Sequence, residues 1–357
     1  MEARDARLSI DCASALDPGA GFDSVVDVRS PAEFAQDHLP GAINCPVLDD
    51  AERAQVGTLH QQVSAFEARR VGAALVARNI ARILASPAFV QPRTWRPLIY
   101  CWRGGQRSGA LAFVLARIGW PVRQLDGGYR AYRRQVLADL DVLPAGIDWR
   151  VVCGPTGSGK SRLLEHLRRE GAQVLDLEAL ACHRGSVLGG LPACPQPSQR
   201  AFESALWQAL RALDPGRPVF VESESRKVGN LHVPERLIEQ MRAAACVRIE
   251  LPQPARVALL RHEYRHFELA PTQLLAQLEC LRALHGHARI ADWTARVQAG
   301  DWDGLVERLL DEHYDPAYRR SQDRNFAQLD HARVVRPAGA DESHFTAAAR
   351  ELIDSSR

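Results

Sequence analysis

Cys101-Trp102-Arg103-Gly104-Gly105-Gln106-Arg107 sets a thiol, two glycines and two arginines within one short run. Gly104 and Gly105 let successive backbone N–H groups point inward, and such a nest binds anions. Arg107 and the N-terminus of a following helix add positive potential, which lowers a thiol's pKa and favours the nucleophilic thiolate. Cys101 and Arg107 are therefore the candidate catalytic residues, with Trp102, Arg103, Gly104, Gly105 and Gln106 completing an anion loop. Further along, Gly154-Pro155-Thr156-Gly157-Ser158-Gly159-Lys160-Ser161 has the spacing of a phosphate-binding loop. Its backbone N–H groups would cradle a diphosphate, Lys160 would bridge the oxygens, and Ser161 could hold magnesium.

Two more polar clusters could serve the same site. In Val219-Phe220-Val221-Glu222-Ser223-Glu224-Ser225-Arg226-Lys227 an apolar strand ends in acids, with Glu222 where Asp is usual in such folds. Glu222 or Glu224 could bind magnesium through water, act as a base, or neutralise Arg226 and Lys227. Asp176, Glu178, His183 and Arg184 follow another strand, where α/β ligand sites gather; His183 and Arg184 would suit phosphate or RNA. No other residue set points to a metal. Among 45 Lys plus Arg, only Lys160 and Lys227 are lysine. Lysine is a compact point charge and arginine a planar fork, so a retained lysine marks a place where a fork does not fit.

The elements that must position these residues alternate strand and helix. Residues 23–28, 97–100 and 121–125 read as strands, 71–84 and 108–118 as helices. The pattern breaks at Leu143-Pro144-Ala145-Gly146 and restarts with strands at 149–153, 173–175, 218–221, 246–251 and 333–336, and helices at 160–169, 198–213 and 342–353. This predicts an α/β fold of two domains, 1–143 with a parallel sheet and 144–357 with a P-loop, the latter carrying a mainly helical region over about 254–325. With 357 residues, two cores are the expectation. A net charge of +2 makes no case for nucleic acid by itself. No apolar run is long enough to span a membrane and the charged N-terminus lacks a signal-peptide core, so a cytoplasmic enzyme is expected. Eight cysteines without close pairing argue against both a disulfide framework and a zinc site.

Asp27-Val28-Arg29-Ser30-Pro31-Ala32-Glu33-Phe34, His38-Leu39-Pro40-Gly41-Ala42-Ile43-Asn44 and Asp126-Gly127-Gly128-Tyr129 resemble, in order, the landmarks of a rhodanese domain. The spacing from Cys101 to Arg107 is one residue longer than ordinary rhodanese loops carry, which implies a larger anion than a sulfane sulfur. Together with Asp176 to Ser186, Gln196-Pro197-Ser198-Gln199, Phe202-Glu203, Glu222 to Gly229, Val56-Gly57-Thr58 and Tyr314 to Tyr318, nearly the whole chain resembles the bacterial tRNA 2-selenouridine synthases. That resemblance implies a two-step exchange on tRNA carrying wobble 2-thiouridine: geranylation of the sulfur by geranyl diphosphate, then displacement of the geranylthio group by selenium from selenophosphate. Cys101 would receive selenium and present it as a selenium-bearing adduct, and the P-loop would hold the diphosphate. No tightly bound cofactor is expected, and a selenophosphate-supplying enzyme is a possible partner. Arg256, Arg261, His262, Arg265 and His266, or Arg319, Arg320 and Arg324, could touch tRNA phosphates. The rival readings are a tRNA sulfurtransferase with an ATP-activating P-loop domain, a kinase–phosphatase fusion, and an anion-sensing regulatory protein. The geranyl chain needs an apolar slot that no sequence feature identifies.

Overall fold

The computed structural model describes residues 8–318 and 325–355. The chain divides into two compact units, Met1–Asp139 with Pro197–Gln208, and Leu140–Gln196 with Ala209–Arg357.

The first unit holds five parallel strands in the spatial order Ser9–Ile10, Arg123–Leu125, Pro97–Tyr100, Ser24–Asp27, Ala42–Asn44. Pro97–Tyr100 is buried along its whole length, as a central parallel strand covered on both faces must be. It ends directly at Cys101. The rhodanese landmarks turn out to frame that end. Arg29 and Asp27 form a buried ion pair at 2.6 Å, and Arg29 donates to the Asp37 carbonyl and lies over the Tyr129 ring at 4.0 Å. Asp37, buried in turn, accepts from the Tyr129 hydroxyl at 2.8 Å and from Ser204 at 2.9 Å. Ser204 arrives on the helix Gln199–Arg211, whose Glu203 also pairs with Arg133. A buried pair of charges survives only when its remaining donors and acceptors are met, as they are here.

The second unit is built on five parallel strands in the order Arg333–Val335, Ala245–Ile249, Trp149–Cys153, Val219–Glu222, Gln173–Leu175. The central strand Trp149–Cys153 runs into the P-loop and then the helix Lys160–Arg169. Helix Glu342–Asp354 packs on that helix, and Leu163, Leu167, Phe345 and Ala349 share one core. The expected helical region is present as Gln253–Glu263, Arg265–Leu269, Pro271–Glu279, Arg282–Ala299 and Trp302–Leu309, around a second apolar core that includes Phe267, Leu278 and Trp293. No described helix is long and apolar enough to cross a membrane.

Candidate functional site

Cys101 sits at the bottom of its loop, almost wholly buried. The helix after it spans Gln106–Ile118, starting two residues before the expected Ser108 and taking Arg107 into its first turn. Ser108 donates to Cys101 Sγ at 3.1 Å, and Gln124 Nε2 donates to the Gly104 carbonyl at 2.6 Å and to Ser108 Oγ at 2.9 Å. Neither Ser108 nor Gln124 was singled out by the sequence; only the i+7 position of a serine one turn into the helix hinted at it. Arg107 is not a free cation beside the thiol. It donates to Glu33 at 2.7 Å, so its charge is largely met by a carboxylate of the first landmark motif. The loop is pinned from beneath by Tyr129 N donating to the Cys101 carbonyl at 2.9 Å. Gly128 has φ +56, and a Cβ there would lie 2.2 Å from that same carbonyl. Any side chain at Gly128 would therefore push the cysteine loop out of place.

The P-loop closes on itself in the second unit. Lys160 Nζ donates to the Gly154 carbonyl at 2.8 Å. Gly159 has φ +88, and a Cβ there would meet the Phe345 ring at 2.5 Å, so glycine alone fits between loop and core. Ser161 Oγ donates to Glu178 at 2.6 Å. Asp176 caps the short helix Leu177–Ala181 by accepting from Ala179 N, which presents Glu178 to Ser161. Glu222, wholly buried, accepts from the Glu178 backbone N–H at 2.6 Å, while its other oxygen is buried without a partner. Burial first, and the neighbouring carboxylates second, push Glu222 well above the ordinary carboxylate range. Burial also raises Glu178, against the pull of Lys160, and raises Glu224 to about 8.

Crowded carboxylates of this kind call for a cation. Among the described residues no three His, Cys, Asp or Glu side chains form a metal cluster. Magnesium does not need one, since it usually takes one or two protein oxygens and completes its shell with phosphate and water. Ser161, Glu178 and Glu224 line the P-loop cavity of about 380 Å³ and, with the orphaned Glu222 oxygen behind them, fit that role.

A family model for the tRNA 2-selenouridine synthase AAA domain matches residues 147–277, and a rhodanese-like domain model matches residues 11–135. A tRNA 2-selenouridine synthase of Cupriavidus necator is 33% identical over 336 residues, covering 86% of this chain and 90% of that protein. This chain belongs to the tRNA 2-selenouridine synthase family. Relatives of the same name occur in Bdellovibrio bacteriovorus, 32% identical over 84% of this chain and 89% of that protein, and in Nitrosomonas europaea, 36% identical over 67% and 63%. The stretch matched in the Nitrosomonas protein is thus under two thirds of its length.

Within this synthase-family fold several expected contacts change. Arg256, expected among tRNA-facing cations, is buried; it donates to the Thr156 carbonyl at 2.7 Å and to Asp315 at 2.6 Å. It clamps the P-loop instead. Arg261 is taken up by Glu268 and Asp303, both near 3 Å, and His262 contacts Arg162. Burial lowers the pKa of His266. These residues do not present one cationic face. Arg319, Arg320 and Arg324 lie outside the described residues. Glu222 and Glu224 do not neutralise Arg226, which pairs with Glu235 on the surface. Arg184 donates to the Glu263 carbonyl and lies over the Tyr264 ring at 4.9 Å, at the edge of the P-loop cavity.

The expectation of no disulfide is also corrected. Cys182 and Cys194 are bonded, with Cα atoms 5.6 Å apart. The reason is local: the segment between them folds back through bridges His183 to Gly190 and Leu191 to Cys194, a reversal that spacing alone does not reveal. His183 and Lys227 line a polar cavity of about 640 Å³ behind that segment; burial lowers the pKa of His183.

The acid cluster has a pH signature. Glu224 keeps its proton in the folded chain up to about 8, against 4.5 for an ordinary glutamate. Between those values the folded state binds more protons than the unfolded one, so stability falls as pH rises through the window. Thermal denaturation between pH 5 and 9 without divalent cations should show this fall, and Glu224→Gln should flatten it. Magnesium should reverse the effect by favouring the carboxylate. An unchanged slope in Glu224→Gln would remove Glu224 from the cluster.

Proposed function

We propose that this chain converts wobble 2-thiouridine in tRNA to 2-selenouridine through an S-geranylated intermediate. Overall, thiolated tRNA, geranyl diphosphate, selenophosphate and water give selenated tRNA, geranylthiol, diphosphate and phosphate. In the first step the thiocarbonyl sulfur attacks the allylic carbon, the C–O bond breaks, and the uridine ring loses its N3 proton. Negative charge grows on the departing diphosphate, where the P-loop N–H groups and Lys160 are placed to absorb it. Magnesium, bound beside Ser161, would add charge neutralisation there. In the second step the Cys101 thiolate, with the Ser108 hydroxyl on its sulfur, attacks the phosphorus of selenophosphate and the P–Se bond breaks. The freed selenide displaces the geranylthio group at C2 as geranylthiol while N3 regains its proton, and water releases phosphate from the cysteine.

The observation that carries the assignment of diphosphate departure to the P-loop is Glu222. One of its oxygens is spent on the Glu178 backbone N–H, making the acid at the strand end part of the frame rather than a group free to direct a hydrolytic water. That favours a cradle for a leaving diphosphate over an ATP-activating domain. The reading is tested by incubating the protein with thiolated tRNA, geranyl diphosphate and selenophosphate and identifying digested nucleosides by mass spectrometry. Geranylated and then selenated uridine should appear. Neither nucleoside, with intact substrates, sinks the proposal; thiolation that depends on ATP would favour the sulfurtransferase alternative.

A further inference from the structure

Beside the P-loop cavity lies a second cavity of different character. Its walls come from the helices Gln253–Glu263, Arg265–Leu269, Pro271–Glu279 and Trp302–Leu309, and they are almost entirely hydrocarbon. It is narrow, with a volume of about 70 Å³ against about 380 Å³ for the P-loop cavity. The two charged residues in its wall, Arg261 and Glu268, are bonded to each other at 3.1 Å and offer no unpaired charge. Thr156, Leu260, Tyr264 and Tyr314 line both cavities. The slot therefore opens at the phosphate loop itself, on the Thr156 side, where Arg256 fixes the loop carbonyl.

This pairing discriminates between kinds of diphosphate. A nucleotide needs polar groups that read a base and ribose, and beyond Thr156, Tyr264 and Tyr314 at its mouth the slot offers only the Arg261–Glu268 pair, closed on itself. An apolar slot of this kind gains by taking up hydrocarbon, because each buried methylene adds favourable transfer free energy, and that gain offsets the parting of the walls that a ten-carbon chain requires. The geometry points to this slot as the seat of the isoprenoid chain of an allylic diphosphate whose diphosphate lies in the P-loop. The assignment rests on the geranyl-transfer reading above and adds to it a location and a length limit. Leu260, Tyr264 and Tyr314 form the throat through which the first isoprene unit passes. Trp302, Leu305 and Val306 line this cavity and not the P-loop one, and the second unit would pack against them. Chain length is then read by the depth of a helical slot, separately from the diphosphate.

Equilibrium binding of inorganic pyrophosphate, dimethylallyl diphosphate and geranyl diphosphate to the full chain tests this. Affinity should rise from pyrophosphate to the five-carbon ester and again to the ten-carbon ester, by at least about tenfold per isoprene unit. Val306→Trp, which adds bulk to a half-buried wall position, should weaken geranyl diphosphate at least about tenfold and leave pyrophosphate within about twofold. A second readout is the part of the tryptophan fluorescence that Trp302→Phe removes: geranyl diphosphate should change it and pyrophosphate should not. Equal affinity for all three ligands, or an unaltered Trp302 signal with geranyl diphosphate bound, overturns the slot while leaving the P-loop assignment intact. Pyrophosphate binding that survives Lys160→Ala would instead overturn the P-loop reading, and the slot with it.

Discussion

Replacing Lys160 by alanine should lower pyrophosphate affinity and geranyl transfer by at least about a hundredfold, the scale of losing one charged group aimed at a developing oxyanion. The expectation follows from the surroundings of the ammonium. In the unliganded chain it is parked on the Gly154 carbonyl at 2.8 Å, inside the curve where diphosphate oxygens would sit. It also opposes the charge of Glu178 and Glu224, whose raised proton affinities it partly offsets. Without it the carboxylates would face the diphosphate with no fixed countercharge. Lys160→Arg should not rescue the loss, because a planar fork cannot take the place of a point charge folded under Gly154. Single-turnover geranylation and pyrophosphate titration, with circular dichroism to establish folding, make the measurement. Unchanged affinity in a folded Lys160→Ala protein would place the diphosphate elsewhere.

What the sequence disclosed, and what it withheld, divides along a physical line. Strand–loop–helix motifs were legible because their chemistry is local. The P-loop, the strands Pro97–Tyr100 and Trp149–Cys153 and the helix Lys160–Arg169 stand where apolar runs and glycine spacing predict them. Residues that act across the fold were not legible. Arg256 reads as one more surface cation on an amphipathic helix, yet its partners Thr156 and Asp315 are about a hundred and about sixty positions away, distances at which helical periodicity carries no information. Arg107 reads as a thiolate-stabilising cation until Glu33, more than seventy positions earlier and just past the neighbouring strand Ser24–Asp27, is seen to hold it. The apolar slot escaped for a related reason. Leu274, Leu305 and Leu309 look like ordinary core positions of separate helices, and only the packing of those helices shows that they enclose space open to Thr156. Even the two lysines divide in this way. Lys160 is explained by its site, whereas Lys227 is exposed on the two-stranded hairpin at the polar cavity.

Cys101→Ser should abolish selenation, by at least about a thousandfold as for loss of a catalytic nucleophile, while geranylation continues at its normal rate. S-Geranylated uridine should then accumulate, and nucleoside mass spectrometry of timed digests would show it. The sulfur is well placed for this test, since serine is nearly isosteric and Cys101 is buried against Ser108, so the loop has no reason to rearrange. In the proposed reaction, serine removes the thiolate that would free selenide from selenophosphate and keeps the backbone nest that would receive its oxygens. A second substitution separates the thiol's own role from the support around it. Ser108→Ala takes away the hydroxyl at 3.1 Å from Sγ, a hydrogen bond to a sulfur that gains charge, and should slow selenation by about tenfold to a hundredfold. That loss should leave selenophosphate binding intact. If geranyl transfer falls as far as selenation in a folded Cys101→Ser protein, the thiol serves both steps and the two cradles do not divide the chemistry between them.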